Sequence, residues 1–289
     1  NLVNTFPVML DLNEIRENID TNIRNEISIE EKINQAITYH LQGNITEATK
    51  LYKFIISKGY NDPRVFSNYG VILKSLGQLK EAELLIRKAI KYKTDFADAY
   101  YNLGNILHEL GKLEEAELSI RKVIELKSNY TEAYANLAKI LQDLGKLKEA
   151  ELSIRKVIEL KPNLSIAHYH LGMILINLGN PQEAEVSLSK AIELEPNLTS
   201  AIEELARRFY LDRKYDLAIK YLRRDNSDNC QSLYLGCLLC LDKKREFEQK
   251  YKELSSRKIC NADMSGIIEH SNIIYENNFD SDFCNDAIQ

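Results

Sequence analysis

The chain has 289 residues, of which only 11 are Gly and 5 are Pro, and its net charge is −5. No apolar run approaches the roughly 18 residues that a membrane helix needs, and a protein dedicated to nucleic acids would be basic. Because Gly and Pro turn the chain, their scarcity predicts long elements joined by few, similar connections. We therefore expect a soluble protein with no membrane and no nucleic acid among its partners.

The N-terminal segment, Asn1–Ser28, shows none of the periodicity that organises the rest of the chain. Apolar residues nevertheless recur in it at helical spacing: Leu12, Ile15, Ile19, Ile23 and Ile27. This pattern predicts an amphipathic helix that caps the element following it.

From Ile29 onwards the sequence repeats every 34 residues. The segment Ala97–Tyr130, ADAYYNLGNILHELGKLEEAELSIRKVIELKSNY, aligns without a gap to the next, TEAYANLAKILQDLGKLKEAELSIRKVIELKPNL. Six such units run from Ile29 to Ser232, and a degraded seventh follows at Leu233–Leu254. Periods of this length are typical of solenoids, in which stacked units share one core. We therefore predict one array over residues 29–256, preceded by residues 1–28 and followed by residues 257–289.

Each unit is predicted to form two amphipathic helices separated by a glycine, such as Gly111 in the third unit. The eighth residue of every unit is Ala or Gly, and the twentieth is Ala in all six units. Small residues at two such positions allow the backbones of a helix pair to approach closely. We expect Gly104 and Ala116 to face each other in this way, and Gly236 to take the same part in the seventh unit.

The period, the helix–turn–helix unit and the pattern Y-x-N-L-G-x-x-L…A-E…P resemble the tetratricopeptide repeat (TPR) over roughly Ile29 to Leu254. The resemblance implies an all-α fold, a right-handed superhelical solenoid of antiparallel helix pairs whose first helices line a concave groove. It implies binding of a protein or peptide ligand in that groove. Pentatricopeptide RNA-binding arrays have a longer period and a basic surface, and neither fits this chain.

The sixth residue of the first four units is Asn, and this position is expected to face the groove. An amide offers an acceptor and two donors, which match the backbone of an extended peptide. The row is similar to the asparagine ladder in the TPR arm of O-linked N-acetylglucosamine transferase. Alternatively, each Asn bonds only to its neighbouring unit. The candidate ligand-binding residues are Asn34, Asn68, Asn102, Asn136, Tyr101, Asn105, Lys139, Tyr169, His170, Met173 and Arg207.

Two specialised functions are not expected. TPR domains that grip the C-terminal acids of heat-shock chaperones need Lys at the fifth residue of a unit, and no unit has one there. The phosphate-binding, dinucleotide and zinc-protease motifs are missing as well, so we expect no catalytic residue, no metal and no cofactor. His168 occupies the aromatic packing position of its unit. Cys237 and Cys240 lie in an apolar helical run without a second ligand pair, which favours burial over a metal site and a reducing, cytoplasmic location.

After Leu254 the sequence keeps one helical stretch, Asn261–Tyr275, and then becomes polar. We predict that this end either covers the last unit or links to a further domain. The near-identical units resemble those of bacterial proteins in which a TPR array precedes an iron/2-oxoglutarate oxygenase, a sulfotransferase or a glycosyltransferase. Two hypotheses follow: a non-enzymatic interaction scaffold, and the substrate-recruiting N-terminal arm of a larger enzyme. The sequence leaves the partner and the oligomeric state open.

Overall fold

The computed structural model describes residues 29–256, and within them every residue belongs to an α-helix or to a short connection. The predicted helices at Asn1–Ser28 and Asn261–Tyr275 lie outside the described residues. The helices are α1 (29–41), α2 (Ile45–Ser57), α3 (Pro63–Ser75), α4 (Leu79–Tyr92), α5 (Ala97–Glu109), α6 (Leu113–Leu126), α7 (Thr131–Asp143), α8 (Leu147–Leu160), α9 (Ser165–Asn177), α10 (Pro181–Leu194), α11 (Thr199–Leu211), α12 (Tyr215–Leu222), α13 (Asp228–Cys240) and α14 (Lys244–Ser256). The predicted all-α class is confirmed.

The chain divides into two compact halves between Leu144 and Gly145, inside the fourth sequence unit. In the N-terminal half α3 packs on α4 and α5 on α6, and the first helices α3, α5 and α7 also contact one another in turn. In the C-terminal half α9 packs on α10, α11 on α12 and α13 on α14, while α11 also contacts α13. Each half is thus built from successive helix pairs, as the period predicts.

A glycine ends the first helix of each of the first five pairs. Gly111, for example, has φ of 73°, and its N–H donates to the carbonyl of His108 in the last turn of α5. A Cβ atom makes this left-handed conformation costly for other residues, which is why the position recurs as Gly. Arg213 and Asp242 occupy the equivalent turns after α11 and α13, with φ of 59° and 54°.

The small residues lie where the helices of a pair meet. Gly104 and Ala116 are buried, and a Cβ built on Gly104 would lie only 2.5 Å from Cδ1 of Ile120 and 3.4 Å from the carbonyl oxygen of Ala116. Gly172 meets Leu188 and Ala184 in the same way in the C-terminal half. The predicted close approach of the two helices is therefore present in both halves.

The seventh pair begins earlier than the 34-residue phase predicts. Helix α12 has 8 residues where α10 has 14, and α13 starts at Asp228 instead of Leu233. The predicted role of Gly236 is therefore wrong: it approaches the ring of Tyr210 on α11, and its built Cβ would make an ordinary 3.5 Å contact there. Because α12 is short, α13 starts earlier in the chain, and no deletion in the repeat marks the change.

None of the helices described between residues 29 and 256 is long and apolar enough to span a membrane.

Candidate functional site

The first helices of the N-terminal half present a polar face at the sixth and ninth positions of the units. Asn102 on α5 and Asn136 on α7 are half-buried, and each directly precedes a buried leucine, Leu103 or Leu137. The helical repeat places the ninth position about one turn further along the same face. Asn105 on α5 is half-buried there, and Lys139 on α7 is exposed.

One pair of these amides connects neighbouring units. Nδ2 of Asn136 donates to Oδ1 of Asn105 at 2.7 Å, which ties α7 to α5. Asn136 therefore bonds to the neighbouring unit, as the alternative explanation of the asparagine row predicts. This bond uses only one N–H of its amide. Among residues 29–256, the side chain of Asn102 makes no hydrogen bond.

Asn105 and Asn136, but not Asn102, line a cleft of about 260 Å³ between the first helices. Its walls are Lys74, Asn105, His108, Glu109, Asn136, Lys139 and Ile140. Nζ of Lys74 lies 2.8 Å from the Glu109 carboxylate, and Nε2 of His108 lies 2.5 Å from Oδ2 of Asp143. The cleft is polar, and charged side chains of both signs line it.

Sequence reasoning missed Lys74 and His108 as cleft residues. Both occupy the twelfth position of their units, three residues after the ninth. Residues three apart share one face of a helix, so the spacing of Asn105 and His108 could have revealed them. The ion pairs Lys74–Glu109 and His108–Asp143 each join two different units. The spacing of residues within one unit therefore gives no indication of them.

The other two asparagines of the row lie elsewhere in the N-terminal half. Asn34 on α1 is exposed and lies near the Glu30 carboxylate, whose pKa is lowered chiefly by the hydrogen bond from Arg64. Asn68 on α3 lies beside the hydroxyl of Tyr52, whose pKa burial raises to about 12. The structure therefore does not bring these two amides into the cleft.

Tyr101 packs against another aromatic residue. Its ring centroid lies 5.2 Å from that of Tyr130, the residue immediately before α7. The ring is half-buried. Tyr101 therefore packs against the last residue of its own unit and does not line the cleft.

The remaining candidates lie in the C-terminal half. On α9, the rings of Tyr169 and His170 have centroids 5.3 Å apart, and Met173 is half-buried. Arg207 on α11 pairs with Glu203 at 2.6 Å and lines a cleft of about 630 Å³ with Tyr210 and Leu211, which faces residues of α13. Glu203, Arg207 and Tyr210 hold the fifth, ninth and twelfth positions, so the first-helix face also forms a cleft in this half.

Glutamate and arginine recur four residues apart on the second helices. This spacing suggests isolated pairs on the surface, but the arginines also contact the next unit. Glu83 pairs with Arg87 in α4, and Arg87 also reaches Glu115 of α6 at 2.5 Å. Arg155 likewise reaches Glu183 of α10 at 3.0 Å. These arginines therefore join the second helices of adjacent units.

Of the two cysteines expected to be buried, Cys237 is buried, whereas Cys240 is exposed because it is the last residue of α13. Burial raises the pKa of Cys237 to about 12, and the thiol of Cys240 lies 3.8 Å from the hydroxyl of Tyr210. Nε2 of His168 lies 2.9 Å from the carbonyl oxygen of Pro162. Tyr134, at the same position of the preceding unit, donates its hydroxyl to the carbonyl oxygen of Ser128. In the described range, no group of three or more His, Cys, Asp or Glu side chains is placed to hold a metal ion.

Comparison with protein families gives matches that keep the phase of the sequence units. Models of the tetratricopeptide repeat match residues 97–130, 131–164 and 165–198, and a TPR-repeat model matches residues 70–111. The first three matches start at the first residue of the third, fourth and fifth units. A search of curated protein sequences finds no match.

Solved structures with similar folds are also TPR proteins. YrrB, a TPR protein with an unusual peptide-binding site, is 25% identical, with a TM-score of 0.57 over 62% of this chain and 96% of YrrB. PilF of Pseudomonas aeruginosa is 18% identical, with a TM-score of 0.57 over 72% of this chain and 97% of PilF. MamA from Desulfovibrio magneticus RS-1 is 22% identical, with a TM-score of 0.55 over 58% of this chain and 95% of MamA. Residues 70–198 thus consist of tetratricopeptide repeats, and the described residues have the fold of a TPR solenoid.

Proposed function

We propose that the first-helix face of the N-terminal half binds an extended peptide segment of a partner protein. The observation that carries this proposal is the half-buried amide of Asn102, which has no hydrogen-bond partner among the described residues and lies one turn before Asn105, a residue of the polar cleft. Such an amide can accept from a peptide N–H and donate to a peptide C=O at the same time. The scaffold hypothesis in this form needs no catalytic group.

The hydrogen bond between Asn136 and Asn105 holds α7 beside α5, and this fixes the width of the cleft. Lys139 and Lys74 offer ammonium groups to acidic side chains or to carbonyl oxygens of the peptide. In this arrangement Asn102 binds the peptide backbone, Asn136 and Asn105 position the helices, and the lysines select for charge. Both interpretations of the asparagine row then hold, at different members of it.

Two comparisons support the proposal. The TPR fold is typical of protein–protein interaction, and the similar protein YrrB has a peptide-binding site. A pocket built from rigid helices also reduces the ordering cost of binding, because only the peptide must lose its freedom.

The test is selection of peptides from a displayed random library on the wild-type protein, followed by titration of the tightest peptide. We expect Asn102→Ala to weaken binding about tenfold, because up to two hydrogen bonds are lost and each contributes about 0.5–1.5 kcal/mol. Asn129→Ala, at an exposed asparagine before α7, is the matched control and is expected to bind as the wild type does.

The stability of the two asparagine variants separates binding from folding. Asn102→Ala is expected to leave the free energy of unfolding unchanged, whereas Asn136→Ala should lower it through loss of the bond to Asn105. Equal peptide affinity of the wild type and Asn102→Ala would contradict the proposal. The hypothesis of a recruiting arm for a larger enzyme stays a prediction of the sequence resemblance.

A further inference from the structure

In the third, fourth and fifth units the second helix carries a lysine followed three residues later by a glutamate, and the second unit has a lysine in place of that glutamate. Lys122 and Glu125 on α6 form an ion pair at 2.7 Å. The equivalent pairs are Lys156–Glu159 on α8, at 2.6 Å, and Lys190–Glu193 on α10, at 2.9 Å. On α4 the same two positions are Lys88 and Lys91. The second unit has therefore exchanged a neutral ion pair for two positive charges.

The two lysines remain without a carboxylate partner. Within residues 29–256 neither Lys88 nor Lys91 forms an ion pair, and both are exposed. Nζ of Lys88 lies 5.9 Å from the centroid of the Phe66 ring, and no acidic group replaces the missing glutamate. Like charges at this helical spacing are slightly destabilising. The exchange therefore works against the stability of α4.

An apolar cleft of about 440 Å³ lies directly beside Lys91. Ile90, Leu103 and Leu118 supply its apolar walls, while Arg87, Lys91 and Glu115 contribute charged groups. Leu118 is 70% exposed, and Leu84 on α4 is 58% exposed. The cleft is formed by α4, α5 and α6, on the side of the second helices, and shares no residue with the first-helix cleft.

The surrounding sequence is basic although the protein as a whole is acidic. Between Ile45 and Lys93 there are 10 Lys and Arg but only 4 Asp and Glu, in a chain whose net charge is −5. The excess of positive charge is thus spread over α2, α3 and α4 and their connections. A local field of this sign attracts negatively charged partners.

We propose that the α4–α6 cleft, which Lys91 lines, is a second docking site that binds an acidic segment of a partner protein. A bulky apolar side chain of that segment enters the cleft between Ile90, Leu103 and Leu118. Its flanking carboxylates pair with Lys91 at the cleft and with Lys88 one turn earlier on α4, where the third, fourth and fifth units have a glutamate three residues after the lysine. A concave apolar pocket favours a protein side chain over the flat, hydrated surface of a bilayer or a phosphate backbone.

The experiment measures fluorescence anisotropy of a labelled synthetic peptide, made of glutamates around a single phenylalanine, titrated with the full chain. The wild type is expected to bind it, with an affinity that falls as salt is added. Lys91→Glu gives α4 the lysine–glutamate pattern of the third, fourth and fifth units. It should weaken binding about tenfold, because an attraction becomes a repulsion.

Stability provides the internal check on this variant. Since Lys91→Glu allows an ion pair with Lys88, its free energy of unfolding is expected to equal or exceed that of the wild type. Lys122→Glu is the control: it changes the net charge equally, lies on α6 and does not line the cleft. It should bind the peptide as the wild type does. A peptide with alanine in place of phenylalanine should bind more weakly.

Three results would overturn the proposal: no binding of the glutamate–phenylalanine peptide by the wild type, equal affinity of the wild type and Lys91→Glu, or equal weakening by Lys122→Glu. Phosphatidylserine vesicles and single-stranded DNA are tested in parallel. Binding of either one in preference to the peptide would assign the basic surface to a different class of partner and refute the site described above.

Discussion

Side-chain volume at two register positions sets how closely the helices of a pair approach. Ala116 on α6 is fully buried, and its carbonyl oxygen lies opposite Gly104 on α5. Ile120 fills the space that a larger residue at position 104 would need. The recurrence of Ala and Gly at these positions is thus explained by contact between the two helices of each pair.

Ala116→Leu is expected to lower the free energy of unfolding by about 1–3 kcal/mol, because the added carbons cannot fit between α5 and α6 without displacing backbone. Urea-induced unfolding measures the loss. Glu114→Leu adds the same side chain at an exposed position of α6 and should change stability by less than about 0.5 kcal/mol. Similar losses in both variants would contradict the packing model.

At the scale of elements, the turn inside each helix pair needs a left-handed residue. Five pairs use glycine there, whereas the α11–α12 and α13–α14 turns use Arg213 and Asp242. Both residues have positive φ, so the backbone geometry is the same although the sequence is not. The last two pairs therefore carry a conformational cost that the earlier ones avoid.

Arg213→Gly is expected to raise the free energy of unfolding by about 0.5–1 kcal/mol, because relief of the left-handed strain exceeds the added freedom of the unfolded chain. The reciprocal change, Gly111→Arg, should lower it by about 1–2 kcal/mol. A Cβ at Gly111 would meet no atom within 4 Å, so that loss would come from the backbone alone. Urea titration of both variants tests the pair, and a loss of stability in Arg213→Gly would refute the explanation.

Ion pairs between second helices join adjacent units in the N-terminal half. Glu83 on α4, with its side chain only 13% exposed, accepts from Arg87 and from Lys112, whose Nζ lies 2.9 Å away. Burial by itself raises the pKa of Glu83, but Lys112 and Arg87 lower it by more. The net pKa lies below the usual value of 4.5.

A depressed pKa in the folded state makes this carboxylate stabilising above pH 4.5, and the contribution disappears as the pH falls through the lower folded pKa. Glu83→Gln is therefore expected to be less stable than the wild type at neutral pH, with the difference shrinking in acid. Urea unfolding over a pH series measures it. Glu81→Gln, at an exposed carboxylate of the same helix, should show no such pH-dependent difference. A Glu83→Gln deficit that persists undiminished in acid would show that the effect is not electrostatic.

At the scale of the whole molecule, the period predicted the helices well where the units are nearly identical. The first helices α3, α5, α7, α9 and α11 start at the first residue of their sequence units. The prediction failed at the seventh unit, because α12 is short and no insertion marks the change. Apolar residues keep their helical spacing even when a helix starts a few residues earlier. The pattern alone therefore could not identify Asp228 as the first residue of α13.

The candidate site was predictable only in part. The groove-facing asparagines were identified from their register, and Asn105, Asn136 and Lys139 do line one cleft. The side chains that surround them, Lys74 and His108, were missed. Asn34, Asn68 and Tyr101 share the register but face other neighbours, since the residues around an equivalent position differ from unit to unit.

The sequence by itself determined the helix pairs and their family, because contacts in a repeat array are local and recur at a fixed spacing. Only the tertiary structure decided which polar groups of different units bond to each other. Asn136 reaches Asn105, and Arg87 reaches Glu115, across separations of 31 and 28 residues. It also showed that Lys91 borders an apolar cleft. Such contacts depend on how far apart two helices lie, and that distance follows from the packing of whole side chains, which a periodic pattern does not encode.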